Sequence, residues 1–215
     1  MEMIKMSGWS LCIALLLGMS SAARADILEP DALIKNTVQD VLTIVKQDKE
    51  IKKGNQQKIL ALVNEKILPH FDFTHMTRLA VGRSWRTATP EQRQVLESEF
   101  QQLLVRTYTK AFTVYSNYDV EVKPLKMESG VTEVTIRTLI RMPGGQPVTV
   151  DYDLKKTKSG WKAYDLLIEG VSMVTSYRST FANEIQRGGI DGLVKTLIEK
   201  NKTADKDSVH KAEGQ

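Results

Sequence analysis

The stretch 148-VTVDYDLKKTKSGWKAYDLLI-168 decides how the chain must fold. Val148, Val150, Tyr152 and Leu154 alternate with Thr149, Asp151, Asp153 and Lys155, which is the period of a strand with one buried face. Lys158-Ser159-Gly160 is a turn, and Trp161 to Ile168 reads as the returning strand. Upstream the same period recurs. Tyr118, Val120 and Val122 alternate with Asp119, Glu121 and Lys123. Val134, Ile136, Ile140 and Met142 alternate with Glu133, Arg137 and Arg141, before a Pro143-Gly144-Gly145 turn. Four sequential strands with short links, ended by Gly170, predict an antiparallel meander with one apolar and one charged face.

Outside this block the apolar period is helical. Pro30 suits a first helical turn, and Ile34, Val38, Val41, Leu42 and Val45 form a stripe. Gly54-Asn55 breaks and recaps, and Ile59, Leu60, Val63 and Ile67 mark a second helix stopped by Pro69. A short helix runs from about Phe73 to Val81, capped by Gly82. Thr89, Pro90 and Gln92 form a capping box for a long helix carrying Leu96, Phe100, Leu103, Leu104, Ala111, Phe112 and Tyr115. After the sheet, Val174, Tyr177, Phe181 and Ile185 mark another helix closed by Gly188-Gly189. Ile190, Val194, Leu197 and Ile198 mark the last. From Asn201 the sequence is polar and aperiodic and reads as a disordered tail, 201–215. The expected fold is α+β: a single domain, 26–200, with a four-stranded antiparallel curved sheet wrapped by about six helices.

The first 25 residues read as a secretory signal peptide: Lys5, an apolar run from Leu11 to Met19, and Ala23-Arg24-Ala25 as cleavage site. The run is too short to span a bilayer. Removing it removes Cys12, the single cysteine, so thiolate catalysis and cysteine-type zinc sites are not expected. It also leaves 28 basic and 25 acidic residues, a net +3 with both signs interspersed. Nothing in that pattern resembles a nucleic-acid-binding stripe.

Two constellations invite a chemical reading. In 70-HFDFTH-75, two histidines flank Asp72, but Asp72 directly precedes a helical segment and reads as its N-cap; no metal site is expected. Asp165 lies on a strand whose two faces both look apolar. It would need a partner, for which Arg178 is the candidate. The carboxylate pairs Asp119/Glu121 and Asp151/Asp153 belong to the solvated sheet face. No nucleophile elbow, P-loop or zinc-protease helix is present.

The stretches 70-HFDFTHMTRLAVGRSWRTATPEQRQVLESEFQQLLVRTYTKAF-112 and 161-WKAYDLLIEGVSMVTSYRSTFANEIQRGGIDGLVKTL-197 resemble the MlaC family, the toluene-tolerance proteins of Gram-negative periplasms. The likeness runs from about residue 30 to 200. It is carried by Asp72-Phe73, Gly82, Trp85, Pro90-Glu91-Gln92-Arg93, Tyr164-Asp165, Glu169-Gly170-Val171-Ser172, Tyr177-Arg178 and Phe181. The resemblance implies a periplasmic phospholipid carrier, not an enzyme, with an apolar pocket for acyl tails and no cofactor. The implied partners are an outer-membrane lipoprotein–porin complex and an inner-membrane ABC transporter bearing a lipid-binding ring. On periodicity, the expected pocket residues are Val134, Ile136, Val150, Tyr152, Tyr164 and Leu166 on strands and Leu104, Tyr108, Val174, Tyr177 and Phe181 on helices. Arg83, Arg86 and Lys110 would meet lipid phosphate or an acidic partner, or simply face solvent. A monomer is expected. Two other readings stay open: an extracytoplasmic enzyme of cone-like fold acting on an apolar small molecule with Asp165 as its acid or base, and a ligand-free adaptor with a filled core.

Overall fold

The computed structural model describes residues 28–109, 118–141 and 143–213, with side chains to residue 203. The expected signal peptide, Lys110 and the apolar positions 111, 112, 115 and 142 lie outside the described residues. Helix α1 (Pro30–Gln47) opens with Pro30 in its first turn. Asp48 ends it and caps α2 (Lys49–Lys52), accepting from the amides of Glu50 at 2.8 Å and Ile51 at 3.2 Å. Asn55 caps α3 (Gln56–Leu62). α3 widens into a π-helical turn (Val63–Ile67) and a 3-10 turn (Leu68–His70) at Pro69, which has no N–H to continue the helix.

Helix α4 (Phe73–Val81) starts at the Asp72 cap, whose Oδ1 accepts from the His75 amide at 2.9 Å. It ends at Gly82, which adopts φ 66°, ψ −134°. Such a backbone is almost confined to glycine. Helix α5 (Pro90–Thr109) begins with the expected reciprocal box: the Thr89 amide donates to Gln92 Oε1 at 2.9 Å, and the Gln92 amide to Thr89 Oγ1 at 3.2 Å. Helix α6 (Arg178–Glu213) is interrupted by Gly189 at φ 68°. That break separates the two helices the sequence predicts. Beyond it, the backbone stays helical past Asn201, where the sequence reading places the start of a tail. Buried Asn201 ties the helix to α5, donating to Glu99 O at 2.9 Å and Glu99 Oε2 at 2.7 Å.

The sheet is an antiparallel meander in the order β1-β2-β3-β4-β5: β1 (Asp119–Val122), β2 (Glu133–Arg141), β3 (Val148–Thr157), β4 (Gly160–Ile168) and β5 (Val171–Ser172). It has five strands where four are expected. Gly170 does not end the sheet, because Glu169 at φ 49° and Gly170 at φ 76° make a tight left-handed turn that folds Val171 and Ser172 back onto β4.

The register corrects the sequence reading of β4. Asp153 pairs with Asp165, but Leu154 pairs with Ala163, so Tyr164 is an extra residue in a β-bulge. The bulge turns Trp161 and Ala163 to the same face as Leu166 and Ile168. An uninterrupted strand would have split these four between two faces, which is why both looked apolar. The inner face is thus continuous from Val120 and Ile140 to Trp161. The outer face carries exposed ion pairs, Arg141 with Glu121 and Lys155 with Glu133, both at 2.8 Å.

Candidate functional site: an apolar cavity between three cores

Instead of one contiguous core, the described residues bury three apolar clusters. In the first, α4, α5 and α6 pack around Phe100, whose ring meets the edges of Tyr177 and Phe181 at 5.2 Å each. The second joins Leu33 and Ile34 of α1 to Ile136, Leu154, Trp161 and Ala163 of the sheet. The third packs Val41 and Val45 of α1 against Ile51, Ile59, Leu62 and Val63. Between them lies a cavity of about 320 Å³. Its wall draws on all three: Met76, Leu104 and Met173 from the first, Ile34 and Ala163 from the second, Val41, Val45 and Val63 from the third.

The stripe on α1 supplies one wall, with Thr37, Val38 and Leu42 beside the residues just named. Ile67 and Leu68, at the π-helical and 3-10 turns, close one end with Val105 of α5. The sheet supplies Val120, Ile140, Tyr152, Leu166 and Ile168, and the connection into α4 supplies His70, Phe71 and Phe73. Phe71 bridges to Ala163, and the Asp72 amide donates to Ala163 O at 2.8 Å, which fixes this connection along the free edge of β4. Tyr108, Thr109 and Tyr118 complete the lining. No Asp, Glu, Lys or Arg lines the cavity among the described residues. A water-filled space of this composition gains free energy when apolar surface replaces the water.

Of the residues expected at the pocket, the structure brings Leu104, Tyr108, Tyr152 and Leu166 to the wall. The other seven are elsewhere. Val134 and Ile136 pack in the second cluster, and Val150 is buried on the inner face away from the wall. The bulge removes Tyr164, whose ring stacks on His75 with centroids 4.4 Å apart. Val174, Tyr177 and Phe181 fill the helical core around Phe100. Conversely, the α1 stripe and the turn residues Val63, Ile67 and Leu68 line the cavity without having been singled out for it. Their periodicity was visible, but a stripe facing a core and one facing a hollow have the same period.

Asp165 is buried, at 6 % exposure, but Arg178 is not its partner. Its Oδ1 accepts from the amides of Leu166 at 2.8 Å and Val174 at 3.1 Å, and its Oδ2 accepts from the Ser172 hydroxyl. Burial holds its carboxyl above the usual aspartate range despite these bonds. Arg178 is exposed and lies over Gly82 instead. Paired with Asp153, Asp165 lies on the sheet face opposite Leu166, away from the cavity wall. Arg83 and Arg86 are exposed.

His70 and His75 are both held below the usual imidazole range, chiefly by burial; Lys162 adds to this at His70 and Arg78 at His75. The two imidazoles have different neighbours, the cavity for His70 and Tyr164 for His75. Among the described residues, no cluster of three or more His, Cys, Asp or Glu is arranged to hold a metal, and no helix is long and apolar enough to cross a membrane. Desolvation by the apolar surroundings pushes the Tyr152 phenol up to about 12.

A five-stranded meander and helices enclosing an apolar hollow define an α+β protein built around an apolar cavity. The chain belongs to the MlaC protein family, whose model matches residues 35–199. It is 27 % identical over 169 residues to the toluene tolerance protein ttg2D of Pseudomonas putida, covering 78 % of each chain. It is 24 % identical over 199 residues to the intermembrane phospholipid transport system binding protein MlaC of Haemophilus influenzae, covering 90 % of this chain and 93 % of that one. A solved structure, the phospholipid-binding protein of Ralstonia solanacearum in complex with a phospholipid, superposes with TM-score 0.77 at 39 % identity, covering 83 % of this chain and 99 % of that one.

Proposed function

We propose that this protein carries phospholipid through the periplasm, with the acyl chains in the apolar cavity. After loss of the leader, 1–25, it shuttles as a monomer between an outer-membrane lipoprotein–porin complex and an inner-membrane ABC transporter bearing a lipid-binding ring. In doing so it maintains the lipid asymmetry of the outer membrane. The observation that carries this reading is the cavity itself, walled by three separate cores and lined without a charged side chain among the described residues. The phospholipid held by the Ralstonia structure supports it.

The energetics suit the task. At about 0.8 kcal/mol per buried methylene, two chains of about fifteen methylenes each gain about 24 kcal/mol on leaving water. Such a lipid does not cross water unaided on a useful timescale. A carrier with a hollow of similar apolarity makes the exchange nearly neutral, so modest docking contacts decide where cargo is released. Catalysis is not part of the proposal. Asp165, the acid or base the sequence reading offers for it, accepts from Ser172 and two amides and lies on the other sheet face. Mass spectrometry of the protein purified from the periplasm without detergent tests the reading. It should show a stoichiometric phospholipid, and a protein free of lipid, even after incubation with phospholipid vesicles, would refute it.

A further inference from the structure

The cavity is not uniformly greasy. At the end formed by Val41, Val45, Val63 and Ile67 it is aliphatic throughout. Its polar lining groups are Thr37 on α1, His70 before α4, Tyr108 and Thr109 on α5, and Tyr118 and Tyr152 on the sheet side. The inner-face hydroxyl of Thr138 donates to Val150 O at 2.5 Å, and on α1 the Thr37 hydroxyl donates to Leu33 O at 2.9 Å. Among the described residues the half-buried Tyr152 hydroxyl has no such protein partner and opens on the cavity. Tyr152 stands mid-sheet between Ile136 and Leu166 and looks into the hollow. A phenol that faces an apolar hollow and has no protein acceptor is a donor available to whatever enters the site.

Resting on the carrier reading, we infer that the Tyr152 hydroxyl donates to an acyl-ester carbonyl of the bound lipid and sets how deep the cargo sits. The carbonyl is the acceptor that a diacyl lipid carries next to its tails. With that carbonyl at the sheet, the tails run along α1 toward the aliphatic end. From Ile34 to Val45 the lining of α1 spans twelve residues, eleven steps of about 1.5 Å or roughly 16 Å of helix. The donor favours ester-linked cargo over ether-linked cargo with the same chains and headgroup, because the ether lacks the carbonyl.

The test offers lipid-free protein equal amounts of dioleoyl phosphatidylglycerol and its dialkyl ether counterpart in mixed vesicles, and counts the bound species by native mass spectrometry. Wild type should take the ester in about three- to ten-fold excess, the net worth of one hydrogen bond. Tyr152→Phe, which removes one oxygen and leaves the shape, should bind both lipids and lose the preference. Equal uptake by wild type overturns the inference without touching the carrier reading, and needs no variant to fold. So does a preference that survives Tyr152→Phe, or one abolished by Tyr108→Phe instead. Failure to take up either lipid would overturn the carrier reading as well.

Discussion

Replacing Asp165 with alanine should loosen the turn that follows β4 and cost the protein a large part of its stability. The carboxylate accepts three hydrogen bonds, from the Ser172 hydroxyl and from the amides of Leu166 and Val174. Ser172 in turn accepts from the Thr175 amide at 2.9 Å, so one carboxylate organises 165–175. Alanine removes a charge-assisted bond and strands the Val174 amide in a residue with no exposure. An unsatisfied buried donor costs about 1–3 kcal/mol, and a bond to a charged group contributes about 1.5–3 kcal/mol. The expected loss is therefore about 3–5 kcal/mol, against a total of roughly 5–15 kcal/mol for an ordinary domain. In urea, with a slope of about 2 kcal/mol per molar, the midpoint should fall by about 2 M. Asp165→Asn keeps an oxygen for the two amides and should lose only about 1–2 kcal/mol. An alanine variant within about 0.5 kcal/mol of wild type would refute this account of the turn. An asparagine variant of unchanged midpoint that no longer held lipid would reopen a chemical role for the carboxylate.

Three further outcomes follow from particular positions. Val105→Trp projects an indole into the cavity from α5; it should leave the unfolding midpoint nearly unchanged while abolishing the bound phospholipid seen by native mass spectrometry. Gly82→Ala meets no steric obstacle, since the nearest atom to an added Cβ, Arg178 Nε, is 3.8 Å away. Its cost should be backbone strain alone, about 1–3 kcal/mol by urea titration. His70 and His75 are shifted downward, so the unfolded chain binds more protons than the folded one below about pH 6.5. Stability should therefore fall as pH is lowered through 6.5, and the paired substitution of both histidines by glutamine should flatten that slope in denaturant titrations between pH 5 and 7.

Much of the architecture is written locally. The alternation in 148–154 reports which side of β3 is buried because side chains on a strand point to opposite faces whatever the neighbours are. The Thr89–Gln92 box, the Asp72 cap and the stop at Gly82 depend on groups within a few residues of each other, and each stands where the sequence predicts it. The short β5 was not legible, because a two-residue strand has no period to read.

What the sequence determined by itself is the set of faces: which side of each helix and strand is apolar, and hence that the chain folds as a meander under helices. What only tertiary structure decided is where those faces meet and where they do not. The bulge at Tyr164 is a matter of pairing between β3 and β4, and it moves Trp161 and Ala163 across the sheet while Asp165 stays on the other side. The α1 stripe is one amphipathic pattern, yet Leu33 closes a core while Val38 and Leu42 face the hollow. Hydrophobicity is a property of a residue, whereas a cavity is a property of the distance between elements, and no period along the chain records that distance.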